Sequence, residues 1–109
     1  MKTLIVSLAA VFVAGATFLA TAADEDAAES LMKKSGCFKC HSVDKKKDGP
    51  AYHEVAAKHK GKADAEQELY KHLTTHPMVK IEGKEEKHAS LKTTDDAQIK
   101  NVIQYILSR

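Results

Sequence analysis

The only two cysteines of this 109-residue chain, Cys37 and Cys40, stand three apart, and His41 follows the second at once. Two thiols are too few for a disulfide-dense scaffold, so the cluster must earn its place in another way. With 43% hydrophobic and 29% charged residues, the composition is that of a soluble globular protein of one domain. A net charge of +2, from 17 Lys and Arg against 15 Asp and Glu, is too balanced to predict a nucleic-acid partner.

The chain opens on Met1-Lys2, an apolar run from Leu4 to Leu19, and the small residues Ala20-Thr21-Ala22. That order predicts a signal peptide over residues 1–22, cut after Ala22 or Ala23, and hence a periplasmic protein. The run is shorter than the ~20 residues of a spanning helix, so no stable membrane insertion is expected after cleavage. The domain that remains, residues 23–109, is small enough to lean on a disulfide, a metal or a cofactor for stability.

Apolar residues predict short helices. Ala27, Ala28, Leu31 and Met32 share one helical face, which Gly36 terminates. Beyond the turn at Gly49-Pro50, Tyr52, Val55, Ala56 and His59 form a second such face. Asp64 can cap a third helix carrying Leu69, Tyr70 and Leu73. Thr94 or Asp95 can cap the last, whose stripe is Ile99, Val102, Ile103, Ile106 and Leu107. Between these, Thr75 to Lys92 has no periodicity and reads as a long functional loop. Val79 and Ile81 are its only hint of a strand.

Cys37-Phe38-Lys39-Cys40-His41 is C-x-x-C-H, the attachment signature of c-type haem. Two thiols three apart on a turn can each form a thioether to one of two vinyl groups on the same porphyrin edge, while the next imidazole ligates iron. The rival readings are a disulfide, a thiol redox pair and a zinc site. The redox pair belongs in a strand-helix-strand context that is missing here, and zinc would need a second ligand pair at the right spacing.

These residues resemble the small bacterial class I cytochromes c over essentially the whole of residues 23–109. Leu31-Met32-Lys33-Lys34-Ser35-Gly36 looks like the family's first helix, with Gly36 where the crossing of first and last helices wants a small residue. Gly49-Pro50-Ala51-Tyr52 resembles the loop whose proline carbonyl accepts a hydrogen bond from the proximal histidine, here His41. Asp95-Asp96-Ala97 through Tyr105-Ile106-Leu107-Ser108 resembles the final helix, with Tyr105 where an aromatic packs on the first. The resemblance implies an all-α class I cytochrome c fold, four to five short helices around one haem c. That haem would be covalent through Cys37 and Cys40, with His41 as proximal ligand and Pro50 and Tyr52 beside it.

The sixth ligand departs from the family, which normally supplies methionine in the loop before the last helix. Met32 lies on the first helix as core filler, leaving Met78, 37 residues after His41. His88 lies 47 after His41 and seven before Asp95, about where the family's methionine stands. Choosing Met78 would demand an extra excursion through Glu82 to Lys87, so His88 is the economical distal ligand. His76, before Pro77, is the nearest rival imidazole; His59 reads as a packing residue, and His53 and His72 as solvated.

The expected function is electron transfer between larger redox proteins by a low-spin, bis-histidine haem, without enzymatic activity. Lys33, Lys34, Lys39 and Lys45 to Lys47 could ring the haem edge and steer an acidic partner. Two alternatives are a haem-based sensor with a displaceable distal ligand, and a conventional His/Met carrier using Met78.

Overall fold

The computed structural model describes residues 22–109, and the signal peptide expected over 1–22 lies, but for Ala22, outside them. Four α-helices follow in order: α1 (Glu25–Lys34), α2 (Tyr52–His59), α3 (Ala65–Thr74) and α4 (Asp96–Leu107). A 3-10 turn, Cys37–Lys39, sits between α1 and α2. The architecture is the expected all-α one, and among the described residues no helix is long and apolar enough to cross a membrane.

Helix α4 is the centre of the core. Its stripe buries Ile99, Val102, Ile103 and Ile106 against Ala28 and Met32 of α1, Tyr52 of α2, and Leu69 and Leu73 of α3. Burying such side chains supplies the main favourable term for a domain this small. Polar contacts set the crossing of α1 and α4. Asn101 and Asp24 exchange a reciprocal pair, Asp24 N–H donating to Asn101 Oδ1 at 2.8 Å and Asn101 Nδ2 to the Asp24 carbonyl at 2.9 Å. Tyr105, buried, packs toward α1 as expected and its hydroxyl donates to Glu29 at 3.0 Å.

Gly36 is required for a different reason from the one its position suggested. A Cβ there would meet nothing nearer than the Lys39 side chain at 3.8 Å, so no tight helix crossing excludes it. Its φ of +80° does, since this left-handed turn between α1 and the attachment segment suits glycine.

The stretch from Thr75 to Lys92 is not an irregular loop throughout. Met78–Ile81 (β1) and Lys84–Lys87 (β2) pair antiparallel, Met78 with Lys87 and Ile81 with Lys84. Glu82 and Gly83 close the hairpin with φ of +51° and +79°, the two positive values a two-residue type I′ connection needs. Neither strand is long or apolar enough to announce itself, and Glu-Gly is a weaker signal than Asn-Gly.

Of the two predicted aspartate caps, only one is made. Asp95 Oδ1 accepts from Gln98 N–H at 3.0 Å, whereas Asp64 makes no side-chain capping bond. Asp95→Ala should therefore cost about 1 kcal/mol and lower Tm by about 4–8 °C, and Asp64→Ala should leave it nearly unchanged. Thermal unfolding of the two variants side by side checks this.

Candidate functional site

The site grows from the turn that carries the two cysteines. Backbone N–H groups of Cys40 and His41 both donate to the Cys37 carbonyl, at 3.2 and 3.0 Å, curling the pentapeptide so that both thiols and the imidazole leave one tight bend. Both cysteines are half-buried free thiols. Burial pushes the Cys37 thiol up, against its own backbone and the neighbouring Tyr52 hydroxyl, which favour the thiolate. Lys47 Nζ reaches back to the Phe38 carbonyl at 2.8 Å, so this lysine of the predicted basic ring also braces the turn. Lys33, Lys34, Lys39, Lys45 and Lys46 are exposed.

His41 is held on three sides. Its Nδ1 donates to the Pro50 carbonyl at 2.7 Å, the bond implied by the resemblance; a carbonyl can only accept, so Nε2 keeps its lone pair. Tyr52, buried on α2, stacks on the imidazole with ring centroids 5.0 Å apart and planes 21° from parallel. Gly49 supplies the third wall. A Cβ on it would lie 2.4 Å from His41 Cε1 and 2.8 and 2.9 Å from the two ring nitrogens. The turn reading of Gly49-Pro50 missed this role, for which the sequence carries no signal beyond the glycine itself. The loop is pinned by Gly49 N–H donating to the Cys40 carbonyl at 2.7 Å and Tyr52 N–H to the Ser42 carbonyl at 2.9 Å.

Near His41 lies His88, the ring centroids 6.0 Å apart and the planes tilted by 56°. Two imidazoles binding one metal from opposite sides, each at about 2 Å, would set their centroids about 6 Å apart once the ring radii are added. His88 Nδ1 is buried without a hydrogen-bond partner. Burial, then the neighbouring His72 and His41, depress its pKa to about 4, so the ring is neutral, with a lone pair to give, at neutral pH. Two imidazoles at this separation, with two thiols in the turn that carries the first of them, are a donor set that suits haem iron.

The hairpin explains how Met78 and His88 differ. His88 N–H donates to the Pro77 carbonyl at 2.7 Å, continuing the ladder one step beyond Met78 and Lys87. Successive residues of a strand point to opposite faces, so Met78 and His88, one pair apart, leave the ribbon on opposite sides. The residues between them do form the excursion that counted against Met78. What separates the two candidates is the pleat, with His88 toward His41 and Met78 57% exposed. His76 is spent on the turn, its Nδ1 donating to the His88 carbonyl at 3.2 Å.

Of the other histidines, His53 is exposed as expected, and His59 is a packing residue, its side chain 10% exposed and 3.5 Å from Glu68. His72 is not solvated. It is half-buried on α3, and its ring lies 4.2 Å from that of His88, centroid to centroid. The three-to-four-residue spacing from Leu69 brings it round to the site, but nothing local shows what it meets.

Comparison with known proteins places the fold and the attachment motif in a family. Residues 25–109 match the family model described as Cytochrome c. The chain is 51% identical over 53 residues to cytochrome c-551 of Pseudomonas aeruginosa, covering 49% of this chain and 51% of that protein. With cytochrome c-552 of Hydrogenobacter thermophilus it shares 45% identity over 58 residues, 53% of this chain and 51% of the other. The chain thus spans about half the length of the curated relatives it matches. Among solved structures, the Class 1 cytochrome MtoD from Sideroxydans lithotrophicus ES-1 superposes with a TM-score of 0.76 at 48% identity, covering 80% of this chain and 97% of that one.

Proposed function

Because this chain belongs to the cytochrome c family, we propose that it is a periplasmic electron carrier with one bis-histidine, low-spin haem c. Cys37 and Cys40 would hold the haem through thioethers, and His41 and His88 would supply the imidazole nitrogens to its iron. The observation that carries this reading is the placement of the two imidazoles with their ring centroids 6.0 Å apart, about the separation that one shared iron would set. A haem c bound there supplies a one-electron ferrous/ferric couple.

The protein's own part is to hold the ligands still. His41 keeps its proton on Nδ1, bonded to the Pro50 carbonyl, which fixes the tautomer and favours Nε2 as donor. The Tyr52 stack and Gly49 restrict rotation of the ring. Holding both ligands in place keeps reorganisation on electron transfer small. With both imidazoles on the iron, no coordination site would be left open for a substrate, which fits an electron carrier and not an enzyme. Two imidazoles, rather than imidazole and thioether, favour the ferric state and give a lower potential than a His/Met carrier would have. The exposed lysines beside the attachment turn steer an acidic redox partner, an effect that weakens as salt rises.

Two measurements test this. Intact mass of the exported protein should show one covalent haem adduct and an N-terminus at Ala23 or Asp24. The ferric protein should lack the far-red charge-transfer band of sulfur-ligated haem, and Met78→Leu should leave its spectrum and potential unchanged. A far-red band lost in Met78→Leu would overturn the His88 assignment.

A further inference from the structure

His88 is the less supported of the two facing imidazoles. His41 has the Pro50 carbonyl, the Tyr52 ring and Gly49 around it. The Nδ1 of His88, by contrast, is buried with no hydrogen-bond partner, although a metal-bound imidazole ordinarily donates its second N–H to an acceptor that sets its orientation. The Ala89 backbone interacts with the ring and favours its protonated form, yet Nδ1 is left without a hydrogen bond of normal geometry, and His76 is already engaged with the His88 carbonyl. One side chain with a free acceptor packs directly on the ring: His72, 4.2 Å away and tilted by 52°.

We propose that His72 is the positioning residue of the distal site, a ring nitrogen of His72 accepting the hydrogen bond from His88 Nδ1–H. The inference rests on the reading of His88 as an iron ligand. Helix α3 makes the placement firm. Leu69 and Leu73 anchor one face of it in the core, and the Leu91 N–H donates to the Leu73 carbonyl at 3.0 Å, tying the chain just after His88 to the turn of helix that carries His72. The bond would orient the distal ring and raise its basicity, strengthening its hold on ferric iron.

The test compares His72→Phe, which keeps a flat ring of similar size but removes the acceptor, with His72→Gln, whose side-chain carbonyl can accept. All proteins are purified with haem attached. In His72→Phe the reduction potential should rise, and cyanide should displace the distal ligand of ferric protein about 10–100-fold more readily. His72→Gln should restore both toward wild type. Should His72→Phe yield no holoprotein, His72→Leu against His72→Gln makes the same comparison. Wild-type potential and cyanide displacement in a variant without an acceptor would overturn the proposal while leaving His88 as ligand. A sulfur charge-transfer band in the wild type, lost in Met78→Leu, would instead overturn the ligand assignment, and this inference with it.

Discussion

Replacing His88 with alanine is expected to turn a low-spin ferric protein into a high-spin one that takes up added ligands. Alanine removes the ring whose centroid lies 6.0 Å from that of His41, and neither Met78 nor His76 is placed to replace it. Met78 leaves the hairpin on the opposite face, and moving it inward would mean slipping the β1–β2 register by one residue, which turns Val79 and Ile81 outward. His76 would have to give up its bond to the residue 88 carbonyl. Added imidazole should bind the open position and restore the low-spin spectrum, and carbon monoxide should bind the reduced variant far faster than wild type. A His88→Ala protein that stays low-spin without added ligand would show that the distal ligand lies elsewhere. The potential should rise as well, because one strong donor to ferric iron is lost.

The second large effect is expected at a residue that touches no cofactor by its own side chain. Gly49→Ala places a methyl group 2.4 Å from His41 Cε1. The neighbour is a rigid ring already bonded to Pro50 at 2.7 Å and stacked on Tyr52, so it has no flexible tip to swing aside. Either the ring turns and the Pro50 bond is lost, or the loop lifts and its backbone bonds to Cys40 and Ser42 loosen. Overpacking of this kind costs about 1–3 kcal/mol and the lost hydrogen bond about 1 kcal/mol more. For a domain of this size that lowers Tm by at least about 10 °C. Haem-loaded yield should fall, and the ferric spectrum should gain a high-spin component. Gly36→Ala is the control: it strains a positive φ but meets no ring, so it should lower Tm by less and leave the spectrum intact. Equal spectral damage from both would show that the wall at Gly49 does not act on His41.

The parts of the site legible in the sequence are those in which chemistry is local. Cys37, Cys40 and His41 lie within five residues, and a single turn brings them together whatever the rest of the chain does. The α4 stripe is legible for the same reason, since a helical period writes its buried face into the residue order. Capping is half legible. Asp64 and Asp95 are equally good residue types, and only the local φ and ψ decide which carboxylate reaches a backbone N–H.

The hairpin and the distal site lay beyond that reach. Spacing alone made His88 and Met78 rivals separated by a polar excursion, and a count of residues cannot say on which side of a ribbon each one leaves. The His72 ring against His88 and the Gly49 backbone against His41 are contacts between segments joined by chain folding, with no periodicity of their own to announce them.

By itself, then, the order of residues determined the attachment chemistry, the proximal imidazole and the helical class, because each depends on neighbours a few positions apart. Tertiary structure alone decided which side chain faces His41, what walls that ring in and what lies behind His88. Those depend on a β-pleat, on a glycine's missing Cβ and on the packing of α3, all of which exist only once distant segments meet.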